Sequence, residues 1–395
     1  AFLDAGAVRP HSRAWLFDVA RADRIVLPRG ALALLGRRLA ELPAATQRVL
    51  EAAAVIGTAF DDELLARVVD LSVDDLGFGL AAARRAGLVE SEGDGSHRFV
   101  HDSLREMLLE GIEGGARKRL HQRVAESLAS ERSSTVDALC AIALHFVNGE
   151  VDKDPSQALD ACRAAARAAL DRFSNETALE YLGYASKAAA RAGRRLDANH
   201  HRAVGEAQLR LGMLDESLAA FGAALECSAD PEERATLLGR LAWVYQTRAE
   251  PKRASEMLER AFLALGVRMP VGTVGSAART ALAVAGAKAR RFVDRAARAP
   301  GRNEIELLSG LHYQNARLGL EYGEPLRLVQ SSAEALELSK QGASARATAR
   351  ARAINGFVLK GMRLHDASAR EFARAEAIAA EQHDPVTTVF CLQLR

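Results

Sequence analysis

Small residues return at matched positions through the C-terminal part of this 395-residue chain, and each return is followed by a large one. In "HHRAVGEAQLRLGMLDESLAAFGAALECSADP", from residue 200, Gly205 and Gly212 take the small positions of a first helix and its turn. Phe221 and Ala224 take the contact positions of a second helix, and Pro231 ends the unit. The next unit repeats the offsets with Ala242, Tyr245, Ala254, Leu258 and Ala261. Ahead of both lie Ala166, Ala178, Leu182 and Ala185; near the end come Gly356, Ser368, Phe372 and Ala375. A further, irregular unit carries Gly310 and Tyr313. Clear units recur every thirty-seven to thirty-nine residues.

One helical hairpin cannot bury its apolar stripe alone. A stack of them can, because small residues let the backbones approach. This is the pattern of tetratricopeptide repeats, at a slightly long period. The expectation for residues 155–395 is a tetratricopeptide-like α-α superhelix whose concave groove takes a protein or peptide. Repeat packing is assigned to Gly205, Gly212, Phe221, Ala224, Tyr245, Ala254, Ala261, Gly356 and Phe372. An inert scaffold is the plainer alternative.

Composition agrees with a mainly α fold. Aromatics are only 5% of the chain, while Ala, Leu, Arg and Glu abound. A net charge of +2 gives no global attraction to nucleic acid or anionic lipid. The four cysteines are scattered without a C-x-x-C pair, which argues against a zinc site or a disulfide framework and fits a cytoplasmic protein. The longest apolar run, "ALAVAGA" at 281–287, is far short of the roughly 20 residues of a membrane span.

Residues 31–115 read differently. Leu32, Leu35, Leu39 and Leu42 have helical spacing, and Pro43 separates them from a second helix with Val49, Leu50, Ala53 and Ile56. Gly57 closes that helix, Asp61 or Asp62 starts a third, and Ser72 with Asp75 starts a fourth. "LVESE" and "HRFV" then alternate around the turn "GDG", the mark of a β-hairpin. Helices followed by such a hairpin predict a winged helix. Asp74 and Asp75 stand where a recognition helix would meet phosphate, and the wing tip is acidic, so protein packing is favoured over a DNA-binding transcription regulator, the rival reading.

At the hairpin's end, "RFVHDSLREML" runs a strand through His101 and Asp102 into a helix, where Asp102 could cap a helix starting at Ser103 with Glu106 in a box. Together with "LPAATQRVLEAAAVIGTAFDDELLARVV" and "RKRLHQRVAESL", it resembles the segment after the nucleotide-binding core of STAND-type signalling ATPases. These are bacterial multidomain regulators, some LuxR-type and some linked to a serine/threonine kinase or a cyclase. The resemblance covers about residues 30–130. In the related NB-ARC proteins a Met-His-Asp motif ends the winged helix, and its histidine contacts the β-phosphate of ADP. Val100-His101-Asp102 matches it with Val for Met, which implies His101 as nucleotide-state sensor and Asp102 as its partner. The same pair also reads as a plain helix cap.

No G-x-x-x-x-G-K-[ST] phosphate loop occurs, and "GVRMPVGTVGSAART" at 266–280 lacks the lysine. No cofactor, metal or catalytic residue is therefore expected in this chain; the resemblance implies ATP/ADP for a longer parent. The opening "AFLDAGAVRP" and the ending "TVFCLQLR" likewise suggest a piece of a larger polypeptide. The expected organisation is an extended linker at 1–30 from an N-terminal ATPase core, a winged helix at 31–115, a linking helical hairpin at 116–154 and repeats at 155–395. The basic edge Arg117, Lys118, Arg119 and His121 would face that core or water, and the basic segment from Arg279 to Arg302 an acidic partner, a membrane surface or solvent. The expected function is regulatory: partner binding on the repeats coupled to the nucleotide state of the ATPase core in cis. Nucleic acid and membrane are not expected partners.

Overall fold

The computed structural model describes residues 8–11, 14–17, 29–131, 133–267 and 301–395. Most of the basic stretch, Arg279 to Arg298, lies outside them. The chain divides into two compact units, Ala1–Arg195 and Leu196–Arg395.

In the first unit, β1 (Val8–His11) and β2 (Ala14–Phe17) form an antiparallel hairpin. Helices α1 (Arg29–Ala40) and α2 (Ala44–Ile56) follow, with Pro43 at the start of α2. A strand absent from the sequence reading, β3 (Ala59–Asp61), precedes α3 (Asp62–Val69) and α4 (Val73–Arg85). Asp61 accepts the Leu64 N–H at 2.7 Å and Ser72 the Asp75 N–H at 3.2 Å, the two N-caps. The hairpin β4 (Val89–Gly93) and β5 (Ser96–Phe99) completes an antiparallel sheet of order β3-β5-β4. Three residues were too few for a periodicity signal; Phe60 alone of β3 is buried. Leu50, Leu65, Val68, Leu88, Phe99 and Leu104 form the centre of one core with Val124.

Next come α5 (Asp102–Gly111), α6 (Gly114–Ser130), α7 (Val136–Asn148), α8 (Pro155–Asp171) and α9 (Asn175–Arg191). The second unit holds α10 (Ala198–Arg210), α11 (Leu214–Cys227), α12 (Pro231–Thr247), α13 (Pro251–Ala264), α14 (Arg302–Glu321), α15 (Pro325–Lys340), α16 (Ala345–Gly361), α17 (His365–Glu381) and α18 (Pro385–Leu394). These are tetratricopeptide-like helical hairpins: α8/α9 in the first unit, and α10/α11, α12/α13, α14/α15 and α16/α17 in the second.

Each hairpin obeys one local rule. A small buried residue on the first helix is followed sixteen positions later by a residue of the second: Ala166 and Leu182, Gly205 and Phe221, Ala242 and Leu258, Gly356 and Phe372, all buried. A Cβ on Gly205 would lie 2.9 Å from the Phe221 ring, and one on Gly356 3.2 Å from that of Phe372. Seven positions after the small residue, the chain turns through the left-handed region at Phe173, Gly212, Ala249, Gly323 and Arg363. The turn is closed by a Schellman-type bond, such as Met213 N–H to the Gln208 carbonyl at 2.9 Å or Glu250 N–H to Tyr245 at 2.9 Å.

The α14/α15 hairpin corrects the sequence register. Gly310 is exposed with open space where a side chain would stand. Ala316 and Ser332 take the paired positions instead, and Asn315 donates to Ser331 Oγ at 2.7 Å in the interior. A small residue facing a small one leaves no large-residue mark to read.

A β-carbon in the left-handed region costs about 1–2 kcal/mol. Gly212→Ala is therefore expected to weaken its hairpin by about 1 kcal/mol, and Ala249→Gly to strengthen its own by about 0.5–1 kcal/mol. Hydrogen exchange across residues 198–264 reads both; shifts of the same sign would contradict the turn geometry.

Candidate functional site

The strand-to-helix junction is held through its backbone. Phe99 N–H donates to the Thr58 carbonyl at 3.1 Å, and Val100 N–H to Leu88 at 3.1 Å. His101 stays extended at φ −140° and ψ 135°, and its carbonyl accepts the Leu104 N–H at 3.0 Å. Arg105 Nε reaches the Ala54 carbonyl at 2.8 Å, tying α5 to the end of α2. Helix α5 begins at Asp102, one residue earlier than the capping arrangement requires, and His101 gives no side-chain cap bond. The extended run of β5 persists through His101, so Asp102 falls in the first turn, where a carboxylate favours the helix dipole. Both side chains are exposed.

Nearby, His97 is buried against Phe60, with ring centroids 5.7 Å apart, and its Nε2 lies 3.0 Å from Asp62 Oδ1. This joins the sheet to α3.

The structure moves His121 out of the basic edge expected for "RKRLHQRV". Its ring is buried and meets His145 of α7, Nδ1 to Nδ1 at 2.9 Å. One Nδ1 must donate and the other accept, so the accepting ring is neutral and, with both rings uncharged, the two hold opposite tautomers. Burial above all lowers both rings to about 4; for His121 the neighbouring His145, Arg117 and Arg105 add to it, and for His145 Arg105. The signal was present: His121 shares a helical stripe with Val124, Ala125 and Leu128, and His145 follows the buried pair Ile142 and Ala143. Lys118 faces Asp152 at 3.5 Å, and Arg119 is exposed.

In the second unit, the first helices of successive hairpins are joined side by side. Glu206 of α10 binds Arg210 at 3.2 Å and reaches Arg240 of α12 at 3.3 Å. Gln246 of α12 donates to Glu321 of α14 at 2.6 Å, and Arg317 of α14 binds the same carboxylate at 2.7 Å. The Arg317 guanidinium lies 4.7 Å from the Trp243 ring centre. Arg350 of α16 stands 5.4 Å from the Tyr313 ring centre and donates from Nε to Thr387 Oγ1 of α18 at 3.2 Å. Burial raises the Tyr313 phenol, against the opposing pull of Arg317 and Arg350. Trp243, Tyr313 and Arg317 remain half-buried.

The residues singled out from sequence are thus dispersed. His101 and Asp102 sit at the junction of the first unit. Gly205, Gly212, Phe221 and Ala224 belong to α10/α11 and its turn; Ala254 and Ala261 are buried on α13; Gly356 and Phe372 meet in α16/α17. Tyr245 is half-buried, with the Arg253 guanidinium 5.6 Å from its ring centre. The strip of Arg240, Trp243, Gln246, Arg317 and Glu321 was missed because each member reads as an ordinary solvated position on its own helix. Only the stacking of α12 against α14, which passes closely at Gly239 and Leu311, makes them neighbours.

No protein-family model and no curated protein matches the chain. Among solved structures, it is similar to a Signal Transduction ATPase with Numerous Domains (STAND) protein with a tetratricopeptide repeat sensor from Pyrococcus horikoshii. The identity is 12%, 90% of this chain and 47% of that one are covered, and the TM-score is 0.47. The chain thus spans about half the length of that protein. It is also similar to the apo quorum sensor NprR from B. thuringiensis, at 12% identity, 85% and 79% coverage and a TM-score of 0.48. Aspartyl phosphate phosphatase F from Bacillus subtilis aligns at 10% identity, 89% and 94% coverage and a TM-score of 0.36. Among the described residues, no helix is long and apolar enough to cross a membrane.

The histidine pair fixes a pH response. Folded, each ring stays neutral down to about 4; unfolded, each takes a proton near pH 6.5. Between those values the unfolded chain binds more protons, so stability is full above pH 6.5 and declines as pH falls towards 4. Hydrogen exchange of residues 114–148, corrected for intrinsic rates, is expected to show this loss of protection. The double variant His121→Leu/His145→Leu is expected to flatten it; an unchanged slope would show that the pair stays charged on folding.

Proposed function

We propose that the chain is the regulatory, protein-interaction portion of a STAND-type signalling ATPase. Residues 31–115 act as its winged helix, and the helical repeats act as the partner-binding arm. The parent supplies an ATP-binding core N-terminal to this segment, and no catalytic step belongs to these residues. The observation that carries the reading is the His101 junction: an exposed imidazole on a backbone fixed from both sides, at the end of the central strand. Such a ring can donate to a phosphate oxygen presented by a neighbouring domain.

Partner binding on the repeats would bias the closed and open states by its differential affinity for them. A route for that bias exists within the first unit. Helix α6 contributes Val124 to the core beneath the sheet and His121 to the contact with α7, and α7 packs on α8 of the first hairpin. DNA binding is the weaker reading, since Asp74 and Asp75 are exposed at the start of α4 and would repel phosphate.

In the full-length protein, His101→Ala is expected to speed release of a fluorescent ADP analogue by about ten-fold, the equivalent of about 1.4 kcal/mol, and to raise basal output. Melting of the isolated segment should not move, because the side chain is exposed and gives no cap hydrogen bond among the described residues. Unchanged ADP release, or a full-length sequence without a phosphate loop upstream, overturns the reading.

A further inference from the structure

We propose that the first-helix strip of the second unit binds an acidic peptide segment carrying apolar side chains; this rests on the protein-binding reading above and names the partner's chemistry. The strip is continuous across α10, α12, α14, α16 and α18 through the side-chain contacts already described. Its charge is lopsided. Arg202, Arg240, Arg317, Arg346 and Arg350 stand with Glu206, Glu321 and Asp384, in a chain whose net charge is only +2. Arg202, Glu206 and Arg210 share one stripe of α10 by their four-residue spacing.

The Arg202 and Arg240 guanidinium groups are held in place without being used up. Arg240 meets Glu206 through Nε, and its side chain keeps 45% exposure. Arg202 spends one N–H on Asn199 Oδ1 at 3.0 Å and is exposed. A guanidinium has five N–H donors in a planar fork, so most remain for a carboxylate, which they match two at a time. Arg317 and Arg350 are fixed over the Trp243 and Tyr313 rings, which lowers the ordering cost of any bond they make. Trp243 and Tyr313 stay half-buried beneath them, which leaves part of each ring for apolar contact. A strand of nucleic acid fits less well. Two of the rings already carry a guanidinium where a base would stack.

The test is selection of a displayed library of random 12-residue peptides on the full chain, with counter-selection on Arg202→Glu/Arg240→Glu. Both sites are exposed, and circular dichroism checks that the variant melts as the parent does. The expected pool is rich in Asp and Glu together with Leu, Phe or Trp. A selected peptide followed by fluorescence anisotropy should bind the variant at least about ten-fold more weakly and lose affinity with added salt. A neutral or basic pool, or affinity indifferent to the charge reversal, overturns this inference while leaving the protein-binding reading intact. Displacement of the peptide by a 12-nucleotide oligothymidylate at equal or lower concentration reassigns the strip to nucleic acid. If no peptide is recovered, the protein-binding reading falls, and this inference with it.

Discussion

The contact between Gly205 and Phe221 shows what the repeats depend on. A phenylalanine ring lies close against helix backbone because the residue beneath it has no side chain. Burying such a ring contributes about 2–3 kcal/mol, and only a close helix approach buries it fully. The same geometry recurs at Gly356 and Phe372, and alanine with leucine fills the equivalent buried positions at Ala166 and Ala242. The left-handed turn seven residues on sets the angle at which the second helix returns. Together these two constraints leave one side of each first helix free for its neighbour in the stack. In the second unit the polar strip therefore follows from the packing behind it.

The first unit solves a different problem. Its sheet is small, so helices supply nearly all of the core, and the strands serve mainly to position a junction. Backbone bonds on both sides of His101 fix where its ring begins without restraining the ring itself. His121 and His145 lie farther along, in the contact between α6 and α7. Their neutrality is imposed by burial and by the arginines around them. A polar contact at that depth is geometrically exacting, because it survives only with one proton on one of the two facing nitrogens.

Legibility in the sequence followed the physics of each feature. Gly205 with Phe221, and Gly356 with Phe372, can be read because a small residue opposite a large one leaves a recurring mark. The α14/α15 hairpin could not be read in register, since Ala316 faces Ser332 and its interior is polar around Asn315 and Ser331. The hairpin at Gly93 to Gly95 was legible from its turn residues, whereas β3 was too short to show alternation. His121 was misread because the arginines beside it dominate the local charge, although its spacing from Val124 and Ala125 already placed it inside. The strip on the second unit depends on contacts between helices distant in sequence, which no local pattern encodes.

The pairing of small and large residues is tested most directly by a double-mutant cycle on Gly205→Leu and Phe221→Ala, with local opening of α10 and α11 followed by hydrogen exchange. Each single change should destabilise the hairpin, the first by overpacking and the second by leaving a cavity, each by about 2–4 kcal/mol. Because a leucine can occupy the space that the ring vacates, the double variant should recover at least about 1 kcal/mol of the summed loss. Strictly additive losses would mean that the two residues do not share one packing site, and the account of the repeats would fail.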